Sequence, residues 1–334
     1  MSFKRFDRED ITLSAESIVQ PAWTGQVTTL TSFYTSSNQT ATTSGKYYYD
    51  VYQTASAATG AAVQFSLAYG NRKGSGSALI TAGENGKSPS SIIYGQYRTL
   101  INGDENTDFQ FGTVTPDSIF AITVSRDRYK EKLLPGTMNL QLKSGSVYLN
   151  LTDNSKSSNT VSYVDAGRVF DLVSGSNGTP YSGTGFTTDS GSYGKYLPDV
   201  GVLILNSDAF KAPVVNGGFG ITFDESSNST SGSFNVNKMY GYLNSFTLQS
   251  EETITSNYVF VRVRNSEFNY STNPSIITGS GELRYDVMIN SPQAYMTTVG
   301  LYNDNNDLLG VAKLSKPLLK DFTKEALVRI KLDY

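Results

Sequence analysis

The side chains able to do chemistry in this sequence are carboxylates, hydroxyls, amides and amines, because it contains neither cysteine nor histidine. Disulfides, thiolate zinc sites and cysteine nucleophiles are thereby excluded. So are the Ser-His-Asp triad and imidazole metal ligands. What survives is carboxylate-only, tyrosine- or lysine-based chemistry. Glycoside hydrolysis fits that limit, since it uses two carboxylates at a fixed separation, one as acid and one as nucleophile or base. Asp199, Glu225, Glu252 and Asp286 are candidates, but their spacing sets no two of them at the required distance.

Three loops imitate binding motifs. Asp104-Glu105-Asn106-Thr107-Asp108 and Asn303-Asp304-Asn305-Asn306-Asp307 are rich in oxygen ligands. Neither has the ordered spacing with a distal glutamate that marks a calcium loop. The first reads as a solvated turn and the second as a hairpin loop between TTVGLY and LLGVAKL. Gly70-Asn71-Arg72-Lys73-Gly74-Ser75-Gly76-Ser77 follows a strand pattern, yet it matches neither the P-loop nor G-x-G-x-x-G. It reads as a plain loop. No cofactor and no metal is expected, and no catalytic residue is assigned.

The elements that would position such groups are strands. Apolar residues alternate in AVQFSLAY, where Val63, Phe65, Leu67 and Tyr69 share a face, and again at Met138, Leu140 and Leu142 and at Val147, Leu149 and Leu151. Period 2 marks a half-buried strand, and Lys143-Ser144-Gly145-Ser146 is a hairpin turn between the last two. Further strands are expected at 46–53, 118–125, 160–164, 168–173, 200–206, 218–223, 233–248, 257–265, 283–290, 296–302, 307–314 and 327–333. One helix is expected at 89–101, with Ser88 as N-cap, Pro89 opening it and Gly103 ending it. Residues 127–134 are expected to add a short helical turn. Two polar stretches, 174–194 and 224–232, read as long loops. The fold class is therefore all-β: antiparallel sandwich- or barrel-like sheets, one or two short helices and an extended N-terminal arm.

Residues 1–45 have weak periodicity and end in the polar run TSSNQTATTSG, so they read as a separate arm or docking segment. Phe3, Phe6, Ile11, Leu13, Ile18, Val19 and Trp23 lie within it and need burial somewhere. All of these except Val19 are singled out as assembly residues. The main β-domain is placed at 46–250 and a C-terminal β-unit at 251–334.

Composition narrows the function. Charged residues are only 17% of the chain against 38% hydrophobic, Tyr (22) outnumbers Phe (17), and the net charge is −3. A phosphate-neutralising surface needs a basic excess, which argues against nucleic acid as a partner. No apolar run approaches the roughly 20 residues that span a bilayer, and no apolar segment follows the basic N-terminus as a secretory signal would require. No membrane partner is expected. Tyr faces with Asn, Ser and Thr amides and hydroxyls also suit a host glycan, though Tyr is an ordinary strand residue too.

Three blocks carry a likeness. FKRFDREDITLSAESIVQPAWTG (3–25), AYGNRKGSGS with SIIYGQYRTLINGDENTDFQFG (68–77 and 91–112), and TTVGLYNDNNDLLGVAKLSKPLLKDFTKEALVRIKLDY (297–334) resemble a family of virion structural proteins of tailed, mainly contractile-tailed, bacteriophages. The resemblance implies a non-enzymatic particle component of baseplate, tail or neck, made in the host cytoplasm. It implies other virion proteins as partners, a homo-oligomer or multiple symmetric copies, and brings no catalytic residue. The alternatives are a receptor-binding or decoration protein that recognises host glycan and, third, a glycan-cleaving tail enzyme.

Overall fold

A computed structural model describes residues 4–36, 48–77, 88–158, 160–181, 192–214, 217–225, 232–271 and 273–333. With 47% of residues in strands and 14% in helices, the class is all-β, and its main feature is a large curled antiparallel sheet, a half-barrel. The strands begin with β1 (Ile11–Pro21), β2 (Thr29–Leu30), β3 (Tyr34–Thr35), β4 (Tyr48–Tyr52), β5 (Val63–Asn71) and β6 (Ser118–Val124). Next come β7 (Lys132–Leu133), β8 (Asn139–Ser144), β9 (Val147–Asp153), β10 (Ser162–Val164), β11 (Gly167–Ser176), β12 (Thr179–Pro180) and β13 (Gly194–Leu197). The last six are β14 (Val202–Asn206), β15 (Leu243–Thr247), β16 (Gln249–Val263), β17 (Gln293–Tyr302), β18 (Leu308–Asp321) and β19 (Ala326–Asp333). Among the described residues the helices are α1 (Pro89–Asn102), α2 (Ser207–Lys211), α3 (Gly232–Tyr242) and α4 (Val287–Asn290).

The chain divides into two compact units, Ile18–Glu252 and Met1–Ser17 with Thr253–Tyr334. This corrects the expected N-terminal arm. Residues 11–21 form strand β1 in a sheet with β16 and β19, and the unit boundary falls inside β1 and again inside β16. The side of β1 that faces β16 has its backbone groups paired, which a free arm would leave to water.

In the larger unit the sheet runs β2-β15-β8-β9-β11-β13-β14-β6-β5-β4-β3, with β10 and β12 added on β11. Phe246 on β15 and Phe65 on β5 are seven strand steps apart in that order. A flat sheet, at about 4.8 Å per step, would separate them by about 34 Å. Their ring centroids are 5.4 Å apart, so the sheet curls until its ends meet. Trp23 lies against both, 5.1 Å from Phe246 and 6.1 Å from Phe65. Its indole Nε1 donates to the Phe246 carbonyl at 2.9 Å.

The concave face holds the larger core, to which Phe65, Leu67, Phe120, Ile122, Leu140, Leu151, Leu203 and Leu205 contribute. Helix α3 fills it with Val236 and Met239, and Tyr240 donates its hydroxyl to the Phe33 carbonyl at 2.6 Å. This segment is a second correction, because 233–242 was expected as strand. Val236, Met239 and Tyr240 fall at helical spacing, one face of a turn.

The convex face is covered too. Helix α1 begins at Ser88, whose side chain accepts from Ser91, and stops at Gly103 in the left-handed region (φ 66°). Tyr94 and Ile101 pack with Phe109, Phe111, Ile119, Ala121, Val202 and Ile204 in a second core. The helix comes so close that a Cβ on Gly70 would stand 2.9 Å from the Tyr94 backbone nitrogen. Strands β6 and β14 are therefore buried on both faces, which is why SIFAITV and VLILN read as nearly unbroken apolar runs.

In the smaller unit β17 and β18 form a two-stranded ribbon separate from the β1-β16-β19 sheet. Val299, Leu301, Ala312 and Leu314 pack on Val259, Val328 and Ile330. The expected strand at 283–290 is absent. Leu283 makes an isolated bridge to Ile277 and 287–290 are helix α4. The segment at 218–223 is likewise outside every ladder: Phe219 and Ile221 donate backbone N–H to the Phe210 carbonyl instead. At 126–128 a 3-10 turn forms, followed by β7 rather than by more helix.

Candidate assembly surface

The residues singled out as docking groups separate into two kinds. Phe6, Ile11 and Leu13 are exposed in the smaller unit, Leu13 at 69%. Ile18 and Val19 are exposed in the larger one. Phe3 lies outside the described residues. Trp23 is 2% exposed and belongs to its own chain's core, which corrects its assignment as an assembly residue: an indole held on Phe65 and Phe246 is not available to a partner.

A further set of exposed apolar residues lies on the ribbon, where sequence reasoning did not place it. Alternate residues of β18 point to opposite faces, so with Ala312 and Leu314 facing the small core, Val311 faces away and is 62% exposed. Leu309, at the register shift between the Leu301 and Tyr302 rungs, is 70% exposed. Tyr295 and Tyr302 of β17 are also exposed. The Tyr302 ring lies over the strand, since a Cβ on Gly300 would be 2.8 Å from its Cε2, and Gly300 is the register partner of Val311. Scattered exposed apolar residues are ordinary; this two-stranded element carries apolar residues on both faces, which makes it the candidate surface. The ribbon ends in the Asn303–Asp307 loop, read correctly as a hairpin connection. The Asn303 side-chain oxygen accepts from Asn305 and Asp307 and Asn306 takes a positive φ.

Three of the four carboxylates considered for catalysis, Asp199, Glu225 and Glu252, are each engaged by their own partners. Asp199 accepts a fork from Arg168 (Nη2 to Oδ1 2.6 Å, Nε to Oδ1 3.1 Å) together with the Arg168 backbone N–H at 2.8 Å. Burial pushes its carboxyl upward, but these hydrogen bonds outweigh burial and hold it below the ordinary carboxylate value. Glu252 pairs with Lys130 at 2.7 Å. Asp286, in the smaller unit, accepts helix α4 backbone N–H groups through its carbonyl. Glu225 accepts from Lys211 at 2.5 Å and from Ser118.

The Glu225 site is a constellation the sequence did not reveal. Lys211 also donates to Asp208 at 2.9 Å, and Ser118 and Ser207 hydroxyls are 2.6 Å apart. Both serines are fully buried, so no substrate reaches them. Burial works against the Lys211 ammonium, and its hydrogen bonds to Glu225 and Asp208 more than compensate. The arrangement ties α2 to the end of β6.

The loops that resemble motifs are also tied internally. Asp104 oxygens accept from the backbone and side chains of Asn106 and Thr107. Arg72 bonds Asp108 and Asp117, and Lys73 bonds Asp117 at 2.5 Å. The basic pair of the Gly70–Ser77 loop is thus occupied by carboxylates of the same chain. Among the described residues no group of three or more acidic residues is placed to hold a metal ion, and no helix is long and apolar enough to cross a membrane.

One polar cleft of about 230 Å³ is lined by Asn154, Ser158, Thr160, Ser162, Asp171 and Lys195, over the Val169–Phe170 backbone. Asp171 and Lys195 are register partners on β11 and β13. Burial pushes the Asp171 carboxyl up, while Lys195 and Ser192 draw it back down. Hydroxyls, an amide, an acid and an ammonium around one small space are able to hold a polyhydroxylated ligand by hydrogen bonds. Comparison with known proteins returned no match to a family model, a curated protein or a solved structure.

Proposed function

We propose that this chain is a non-enzymatic structural subunit of a tailed-phage particle, in baseplate, tail or neck, that works by assembly with other virion proteins. The observation that carries the reading is the exposed apolar side chains of the β17–β18 ribbon, Leu309 and Val311 with Tyr295 and Tyr302. At about 25 cal/mol per Å² of apolar surface, covering these residues contributes several kcal/mol to an interface. The likeness of 3–25, 91–112 and 297–334 to tailed-phage structural proteins supports the virion context. Proteomics and electron microscopy of purified particles test it: the chain is expected at fixed stoichiometry with the ribbon covered. Particles that lack it would overturn the reading.

The polar cleft favours a second reading, recognition of host surface glycan. Nuclear magnetic resonance titration with a panel of free monosaccharides should then shift Asp171 and Lys195, and Asp171→Ala should abolish the shifts. No release of reducing ends from host polysaccharide is expected. Release that one carboxylate substitution abolishes would make the chain an enzyme.

A further inference from the structure

We propose that the polar cleft over β11 and β13 takes one uncharged sugar ring, with a hydroxyl of that ring held between the Asp171 carboxylate and the Lys195 ammonium. This deepens the glycan reading of the cleft and rests on it. The cleft exists because a ladder is interrupted. Along one side of β11, β10 pairs with Gly167–Val169 and β9 with Leu172–Ser174, so neither strand reaches Phe170 or Asp171. The turn after β9 fills part of that gap. Asn154 donates its backbone N–H to the Asp171 carbonyl and accepts the Asp171 N–H at its side-chain oxygen, both at 3.1 Å. A backbone N–H can only donate, so this bond orients the amide and leaves the Asn154 Nδ2 group as a donor. The Ser157 and Ser158 N–H groups bond the Asn154 carbonyl at 3.1 and 2.9 Å, and the Ser158 hydroxyl donates to the Thr160 carbonyl at 2.8 Å. The wall of the cleft is therefore held by the chain itself.

Its two charges select the ligand. Phe170 and Leu172 face the larger core, so Asp171 between them points to the convex side. Its register partner Lys195 shares that side. Opposite charges facing each other across two strands attract. Among the described residues, however, Lys195 makes no ion pair with Asp171 or with another acid, and the Thr160 and Ser162 hydroxyls have no partner. Space remains between acid and ammonium, and a hydroxyl is the group that suits it. A hydroxyl accepts from the ammonium while it donates to the carboxylate, and each bond strengthens the other. The charges of the site also cancel. A ligand carboxylate drawn to Lys195 meets Asp171, and a ligand ammonium drawn to Asp171 meets Lys195, so acidic and amino sugars are rejected in favour of a neutral one. The cleft, at about 230 Å³, is smaller than pockets that hold drug-sized molecules and suits a single ring.

The test uses the full chain and follows the Asp171 and Lys195 amides by nuclear magnetic resonance. Methyl α-glucopyranoside and its galacto and manno isomers are the neutral probes; the uronate and the 2-amino-2-deoxy analogue of each are the charged ones. At least one neutral probe should give saturable shifts and bind about tenfold or more tightly than its two charged analogues. Asp171→Asn keeps the shape and removes the charge, and Lys195→Met removes the ammonium. Each should weaken that neutral probe by about tenfold or more with an unchanged circular dichroism spectrum. A charged analogue that binds as tightly as the neutral probe overturns the proposal and leaves the glycan reading standing. So does a neutral probe that binds both variants as it binds the unaltered chain. If no probe binds, the glycan reading falls and this proposal with it. The comparison of probes on the unaltered chain decides the matter even where a variant fails to fold.

Discussion

Deleting residues 1–30 is expected to leave a chain whose larger unit does not fold, whereas deleting residues 1–10 leaves that unit intact. The difference lies in Trp23 and Leu30, which are 2% and 1% exposed, and in the β2 rung, where Leu30 pairs with Phe246 and Thr29 with Thr247. Truncating a buried Trp to alanine costs about 3–5 kcal/mol and a buried Leu about 2–5. Together they approach the 5–15 kcal/mol of a typical domain's whole stability. Trp23→Ala alone should lower the melting temperature by about 10 °C in a unit of this size. A chain lacking residues 1–30 that keeps a cooperative melt would show that the stretch is a docking arm after all.

Replacing Lys320 by methionine is expected to loosen the smaller unit selectively. Lys320 is fully buried, and its ammonium donates to the Asn265 carbonyl (3.0 Å), Asn269 Oδ1 (2.7 Å) and the Asp321 carbonyl (2.8 Å). All three acceptors are uncharged, so the ammonium is held by hydrogen bonds alone, and these pin the 265–269 turn to the end of β18. Charge-assisted hydrogen bonds contribute about 1.5–3 kcal/mol each, and stranding their acceptors adds to the loss. The variant should lose about 3 kcal/mol or more, read as faster hydrogen exchange across β16–β19 with β5, β6 and β14 unaffected. Unchanged exchange in β18 would show that the turn is held by other contacts.

How much of this was legible depends on what pattern alone encodes. Helix α1 was readable because Ser88, Pro89 and Gly103 each have a local backbone reason to stand where they do. The β8–β9 hairpin was readable too, with Leu140 opposite Leu151 and Leu142 opposite Leu149. Strand β1 escaped notice because Ile11 and Leu13 are in phase with each other and Ile18 and Val19 are not. Helix α3 was mistaken for strand because the run 226–231 before it offers an N-cap residue type at every position and so marks no single start, leaving few apolar positions to set its period. At 219–223 the alternation reports burial correctly, since Phe219, Ile221 and Phe223 are all buried. A strand also needs a neighbour, and that information is not local.

The candidate assembly surface was half legible for a related reason. Period 2 sorts β18 into two faces, but Leu308, Leu309, Val311, Ala312 and Leu314 put apolar groups on both. Only the placement of Val328 and Ile330 shows which face is inside. The Glu225–Lys211–Asp208 cluster joins residues from α2 and a distant loop, so no spacing rule reaches it.

The closing of the curled sheet has a consequence for synthesis. Its two end strands, β2 and β3, are separated by residues 31–33 alone, yet β2 pairs with β15 at residues 246–247. Strand pairing at such long range is intrinsically slow. At about 5–20 residues per second, the ribosome needs roughly 10–40 s to travel from Leu30 to Leu248. Through that interval Trp23 and Phe65 wait without Phe246, and the nascent chain carries an uncovered aromatic seam. Its soluble yield is therefore expected to depend on the pace of translation as much as on the stability of the finished fold.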